Sequence, residues 1–157
     1  MTTNSRIRVG VVLLDDSNKI IVVRMHRENS SDIYVLPGGG VENGEGLFEA
    51  AIRETKEETH LNIEITKILY LKSLYTSTEN ALEVILLGKI KSGIIAKGFD
   101  PEEKGKNTLK EVLLVRVADL KDLNFHPKQL KELLADDVKR GFNKSAVYLG
   151  NFKYPEK

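Results

Sequence analysis

Three glutamates, Glu54, Glu57 and Glu58, stand at positions i, i+3 and i+4, the spacing that puts side chains on one face of an α-helix. Between the first and the last, a helix rises roughly 6 Å, at about 1.5 Å per residue. Paired metals lie about 3.5–4 Å apart, so these oxygens suit one or two hard cations. Without a cation the pattern is unfavourable. Like charges at this spacing cost about a few tenths of a kcal/mol, and acids near a helix C-terminus oppose the macrodipole. The plain alternative is three solvated residues on a helix surface. Just upstream, Gly38, Gly39 and Gly40 close a short apolar run. Glycines let backbone approach a ligand closely, with a carbonyl for a metal or an amide for a phosphate; equally, they form a turn that binds nothing. Arg53 projects about 100° from Glu54, which suits it to brace the loop through Glu45 better than to chelate, or leaves it in solvent.

The elements that must hold these residues follow from hydrophobic periodicity. Arg6–Leu14 and Lys19–Met25 are β-rich runs joined by turn residues 15–18, which predicts a hairpin. A short strand, Ile33–Leu36, ends at Pro37 and the glycines, and Asn43-Gly44 marks another tight turn. A helix is predicted from about Gly46 to Thr59, with Phe48, Ala51, Ile52, Thr55 and Thr59 on the packed side and the glutamates displaced from it. Glu45 and Glu49 lie near its positive end. Strands are predicted over 63–75, 82–91 and 111–117, with a polar loop over 98–110 and a last strand over 145–152. A second helix, Pro127–Arg140, takes Pro127 as its first residue and Gly141 as its C′, and buries Leu130, Leu133, Leu134 and Val138. One domain of α/β (α+β) class over residues 1–157 accounts for all of this.

Bulk properties exclude several classes of function. The chain has 157 residues, 41% hydrophobic and 30% charged, which is enough for one core. With 24 basic and 23 acidic residues the net charge is +1, so no global basic excess marks a nucleic-acid surface. There is no cysteine, hence no disulfide, thiolate zinc site or cysteine nucleophile. The apolar run Val9–Leu14 is too short for a secretory core or a membrane span, which makes the cytoplasm the expected location.

The stretch LPGGGVENGEGLFEAAIRETKEETHL, residues 36–61, resembles the signature of the Nudix hydrolases, G-x5-E-x7-R-E-U-x-E-E-x-G-U with U aliphatic. Gly39, Glu45, Arg53, Glu54, Glu57, Glu58 and Leu61 match in register, and the LPGG lead-in and Glu42 also look like the family. Two positions depart. Thr55 stands for an aliphatic residue and needs a hydroxyl partner, such as a carbonyl one turn back. His60 stands for the glycine that ends the helix in a left-handed conformation, at a cost of about 1 kcal/mol. The resemblance implies an α/β/α sandwich, a mixed central sheet flanked by helices. It also implies a divalent-metal-dependent pyrophosphohydrolase acting on a small nucleoside-diphosphate-like molecule: a nucleoside triphosphate, a nucleotide sugar or the ADP-ribose class. Glu54, Glu57 and Glu58 would hold Mg2+ or Mn2+ with the Gly38 carbonyl, Glu54 would serve as base or ligand, and Arg53 would support catalysis.

An acidic residue outside the box is expected from Asp100, Glu102 or Glu103, with Glu103 favoured. Substrate contacts are expected from Arg24, Arg27, Gly39 and Gly40, with His26, Tyr75, Asn107 and Phe125 as further candidates and His126 as structural. Many relatives are dimers, so a homodimer is allowed. Two other readings stay open: a nucleotide-binding module without turnover, and an RNA-end processing enzyme. Near-neutral charge and 6% aromatic residues speak against the second.

Overall fold

The computed structural model describes residues 4–28, 30–98 and 108–153. Its strands are β1 (Asn4–Val12), β2 (Lys19–Met25), β3 (Ile33–Val35), β4 (Gly38–Gly40), β5 (Asn62–Tyr75), β6 (Glu79–Ser92), β7 (Leu109–Arg116), β8 (Phe125–His126) and β9 (Val147–Lys153). Helix α1 spans Leu47–Thr59 and helix α2 spans Leu130–Lys139. They form two mixed sheets, one in the order β4-β1-β6-β5-β9 and the other β7-β2-β3-β8. No helix among the described residues is long and apolar enough to cross a membrane.

Period-2 alternation in the strands builds two cores, one on each face. Val9, Val11 and Leu13 join Val84, Leu86, Ala50 and Ala51 on the α1 side. Val12, Ile20, Val22 and Ile85 join Leu130 and Leu134 on the α2 side. Helices thus cover opposite faces, the layered sandwich anticipated above, with the strands split between two sheets where one had been expected. The predicted hairpin survives only at its tip. Asp15 Oδ1 accepts from the amides of Ser17 (2.9 Å) and Lys19 (2.8 Å). Beyond the tip the arms part, β1 into the five-stranded sheet and β2 into the other.

Helix α2 begins three residues later than Pro127; the chain turns there, and the Pro127 carbonyl accepts from the Leu130 amide at 3.0 Å. Gly141 takes the left-handed conformation expected just past the helix end, with φ 64°. The helix is anchored by a polar contact that periodicity alone does not suggest. The Tyr70 hydroxyl donates to the buried Asp137 carboxylate, which also pairs with Lys144 at 3.1 Å.

Helix α1 buries Ala51, Thr55 and Thr59 of the predicted side but turns toward Ala50 and the carboxylates in place of Phe48 and Ile52. Ala50, Ala51, Glu54, Thr55, Glu58 and Thr59 are buried, whereas Phe48 and Ile52 are 46% and 38% exposed. The reason is β4, three glycines without side chains. The helix settles against their backbone through Glu54 and Glu58, while Ala50 and Ala51 join the core side chains of β1 and β6. Thr55 Oγ1 has no hydrogen-bond partner among the described residues, contrary to the expected bond one turn back. It is Thr59 that bonds back, donating to the Thr55 carbonyl at 2.6 Å. An unsatisfied buried hydroxyl costs about 1–3 kcal/mol, and valine has nearly the same shape. Thr55→Val is therefore expected to stabilise the protein by about 1 kcal/mol, read as a higher midpoint in urea at unchanged slope. His60 adopts φ 61° and ψ 15°, and its amide caps the helix on the Lys56 carbonyl.

Candidate active site

The site is assembled where α1 meets β4. Strand β4 pairs antiparallel with β1, setting Gly38 opposite Gly10, Gly39 opposite Val9 and Gly40 opposite Arg8. Glu54 lies against Gly39 so closely that a Cβ there would come within 2.5 Å of its carboxyl group. The Gly38 amide donates to Glu58 Oε2 at 2.9 Å. Glu54 and Glu58 are 2% and 3% exposed, while the Glu57 side chain remains 25% exposed. The C-terminal end of α1 is covered by the segment before residue 99, where the Gly98 amide donates to the Glu58 carbonyl at 2.8 Å. A side chain at Gly98 would collide with the Glu57 carbonyl.

Arg53 organises the carboxylates. Its Nε and Nη2 donate to the two oxygens of Glu45 at 2.8 and 2.9 Å, the pairing anticipated from their spacing. Nη2 also donates to the Gly40 carbonyl at 3.1 Å, tying the glycine strand to the helix. Nη1 donates to Glu54 at 2.9 Å and to Glu57 at 3.3 Å. A single guanidinium is thus shared among three glutamates. Among the described residues no three acidic or histidine side chains stand close enough together to hold a metal ion, and Arg53 bonds both Glu54 and Glu57. The donor set nevertheless fits a hard divalent cation: carboxylate oxygens and glycine carbonyls with no sulfur or imidazole, and a Glu54 cradle that only glycine leaves open.

The loop before α1 depends on the same arginine. The hydrogen bond from Arg53 holds the Glu45 carboxyl below its usual value of 4.5, outweighing the opposing effect of partial burial. A carboxyl depressed in the fold contributes stability above its unfolded value, and this is lost as pH falls through the folded one. Glu45→Gln is expected to lose on the order of 1–2 kcal/mol at neutral pH. The gap from the unsubstituted protein should close as pH falls below 4.5, followed by denaturant unfolding across a pH series.

Other candidates separate cleanly. Arg24 is engaged on the sheet with Asp32 and Glu111, each at 3.1 Å, and His26 also meets Asp32, at 2.9 Å. Arg27, by contrast, lines a cavity of about 330 Å³ that also reaches Gly38 and His126. Phe125 is fully buried in the α2-side core and so is unavailable to a ligand. Tyr75 is 39% exposed at the end of β5. Asp100, Glu102, Glu103 and Asn107 lie outside the described residues. The cavity also holds Arg8, Lys72 and Glu83, which sequence reading missed. Their only signal was charge inside otherwise apolar strands.

The chain matches the family model described as NUDIX domain over residues 4–136. An RNA pyrophosphohydrolase from Pelagibacter ubique is 37% identical over 82 residues, covering 52% of this chain and 51% of the relative. An ADP-ribose pyrophosphatase from Methanocaldococcus jannaschii is 30% identical over 96 residues, covering 58% and 55%. The chain spans about half the length of these curated relatives. The MutT protein from Methanosarcina mazei shares the fold, with TM-score 0.69 at 18% identity over 92% of this chain and 99% of that one.

Proposed function

Because the chain belongs to the NUDIX family, we propose that it hydrolyses a diphosphate bond in a small nucleoside-diphosphate-like molecule with the help of Mg2+ or Mn2+. The observation that carries this reading is the packing of Glu54 and Glu58 against backbone that must be glycine, beside Glu57 and Arg53. Glu54, Glu57, Glu58 and the Gly38 carbonyl would hold the cation, which when bound neutralises the diphosphate and acidifies a water. Arg53 keeps the glutamates apart and in register, and Glu45 fixes Arg53 in turn. The backbone of Gly39 and Gly40 leaves room for phosphate oxygens to approach. Arg27 reaches the substrate from the cavity wall, and Arg24 serves the sheet instead. Glu103 remains the proposed acidic residue from outside the box.

The names of the relatives frame the substrate range: ADP-ribose for one, RNA for another. The near-neutral net charge favours a small molecule over a polymer. The test is a phosphate-release screen with Mg2+ across nucleoside triphosphates, nucleotide sugars, ADP-ribose, dinucleoside polyphosphates and 5′-triphosphorylated RNA. Phosphatase is added to expose monophosphate products. Metal-dependent turnover of a small diphosphate, abolished by chelation, is expected. Nucleotide binding without turnover on any member would instead make the chain a non-catalytic module.

A further inference from the structure

The cavity beside Gly38 has a charge pattern of its own. Among the described residues, five basic side chains line it, Arg8, Arg27, Lys72, Lys128 and Lys153, against one carboxylate, Glu83. The whole chain carries only +1, so this concentration is local and not a reflection of bulk composition. It is drawn from positions far apart in sequence: β1, the segment after β2, β5, the approach to α2, and β9. Like charges gathered around one small volume repel, and stability alone does not favour collecting them.

Sheet register explains how the floor is made. Gly40 pairs with Arg8, Arg8 with Glu83, and Glu83 with Lys72. Directly paired residues share a face, so from Gly40 on the glycine strand a row of charge crosses the next three strands, β1, β6 and β5. Glu83 stands between two cations and meets Lys72 Nζ at 2.8 Å. Lys72 is only 6% exposed, a buried ammonium held at the cavity floor. The next residues on this face, Gly10 and Ile85, are flat and apolar and leave the volume open.

The positive field is felt by a neighbour. His126 also lines the cavity, and its proton affinity is lowered by burial and then by Arg27, Lys128, Lys131 and Lys72. Meanwhile Phe152 is the only benzenoid ring among the described lining residues. A pocket built for a nucleobase usually stacks it on aromatic faces. At about 330 Å³ the space suits a group the size of a sugar phosphate.

We propose that this cavity receives the second moiety of the diphosphate substrate and selects one that is itself anionic, bearing a phosphate or carboxylate of its own. This rests on the diphosphate-hydrolase reading above. Glu83 holds Lys72 in place, and Arg8 and Lys72 meet the anion from the floor. Lys128, exposed at the rim, adds to the attraction on approach.

Matched substrate pairs that differ by one anionic group on the second moiety test this: UDP-glucuronate against UDP-glucose, UDP-N-acetylmuramate against UDP-N-acetylglucosamine, and nicotinate adenine dinucleotide against NAD+. In at least one pair the acidic member should show a kcat/KM about tenfold higher or more, with a steeper fall in added salt. That ratio should collapse toward one in Lys72→Met and shrink in Lys128→Glu. The rim variant keeps the test valid if the buried one does not fold. Preference for the neutral member, or a ratio unmoved by Lys128→Glu, overturns the inference while leaving the hydrolase reading intact. Turnover of no member of any pair, together with a negative phosphate-release screen, removes both.

Discussion

Glu57→Gln is expected to lower turnover by about a hundredfold or more while leaving the fold intact. Glu57 is the half-exposed member of the glutamate set, and its one described contact inside the site is the 3.3 Å bond from Arg53. An amide oxygen can keep that bond, so stability should move little. What an amide cannot supply is the negative charge proposed to hold the cation. Steady-state rates at saturating Mg2+, set beside urea unfolding of both proteins, separate the two effects. Near-native turnover with a native unfolding curve would remove Glu57 from the metal set.

The second large effect concerns neighbouring glycines that should fail in different ways. Gly38 has φ +152°, and a Cβ there would lie 2.0 Å from the Val9 carbonyl oxygen. That obstacle is backbone in a paired strand, so the strand itself would have to move. Gly38→Ala should therefore cost on the order of 3 kcal/mol or more, with activity lost along with the fold. At Gly39 the obstacle is instead the tip of the Glu54 side chain, 2.5 Å away. Gly39→Ala should leave most of the stability in place. By displacing the carboxylate it should cost about a hundredfold in rate. Thermal unfolding and turnover measured on both variants check the contrast, and equal stability losses would contradict it.

The same region shows which parts of the molecule were legible in the sequence. The acidic helix was readable because its residues are close together and strongly typed, so spacing alone put Glu54, Glu57 and Glu58 on one face and Arg53 toward Glu45. Of the packed edge, Ala51, Thr55 and Thr59 were read rightly, whereas hydrophobicity pointed wrongly to Phe48 and Ile52. Glu54 and Glu58 are buried because β4 offers bare backbone, and nothing in the helix sequence records its partner. The Arg8–Glu83–Lys72 row was invisible for a related reason. Its members become neighbours through register between β1, β6 and β5, a property of pairs of strands that no single stretch contains. Phe125, named as a candidate for substrate contact, lies instead within the core.

The parting of β1 and β2 at their shared turn has a mechanical consequence. The two sheets are bound together along residues 13–18 like pages at a spine, and Arg8 sits about 17 Å away along the strand, at roughly 3.3 Å per residue. Residues 36 and 37 join β3 to β4 beside the cavity and bind the sheets a second time, so a bulky substrate that widens the mouth must move the margins beyond that joint, where β8 and β9 lie. Spin labels near Lys128, after β8, and Lys153, in β9, should then report the motion, while a pair spanning Asp16 and Leu87 should stay silent.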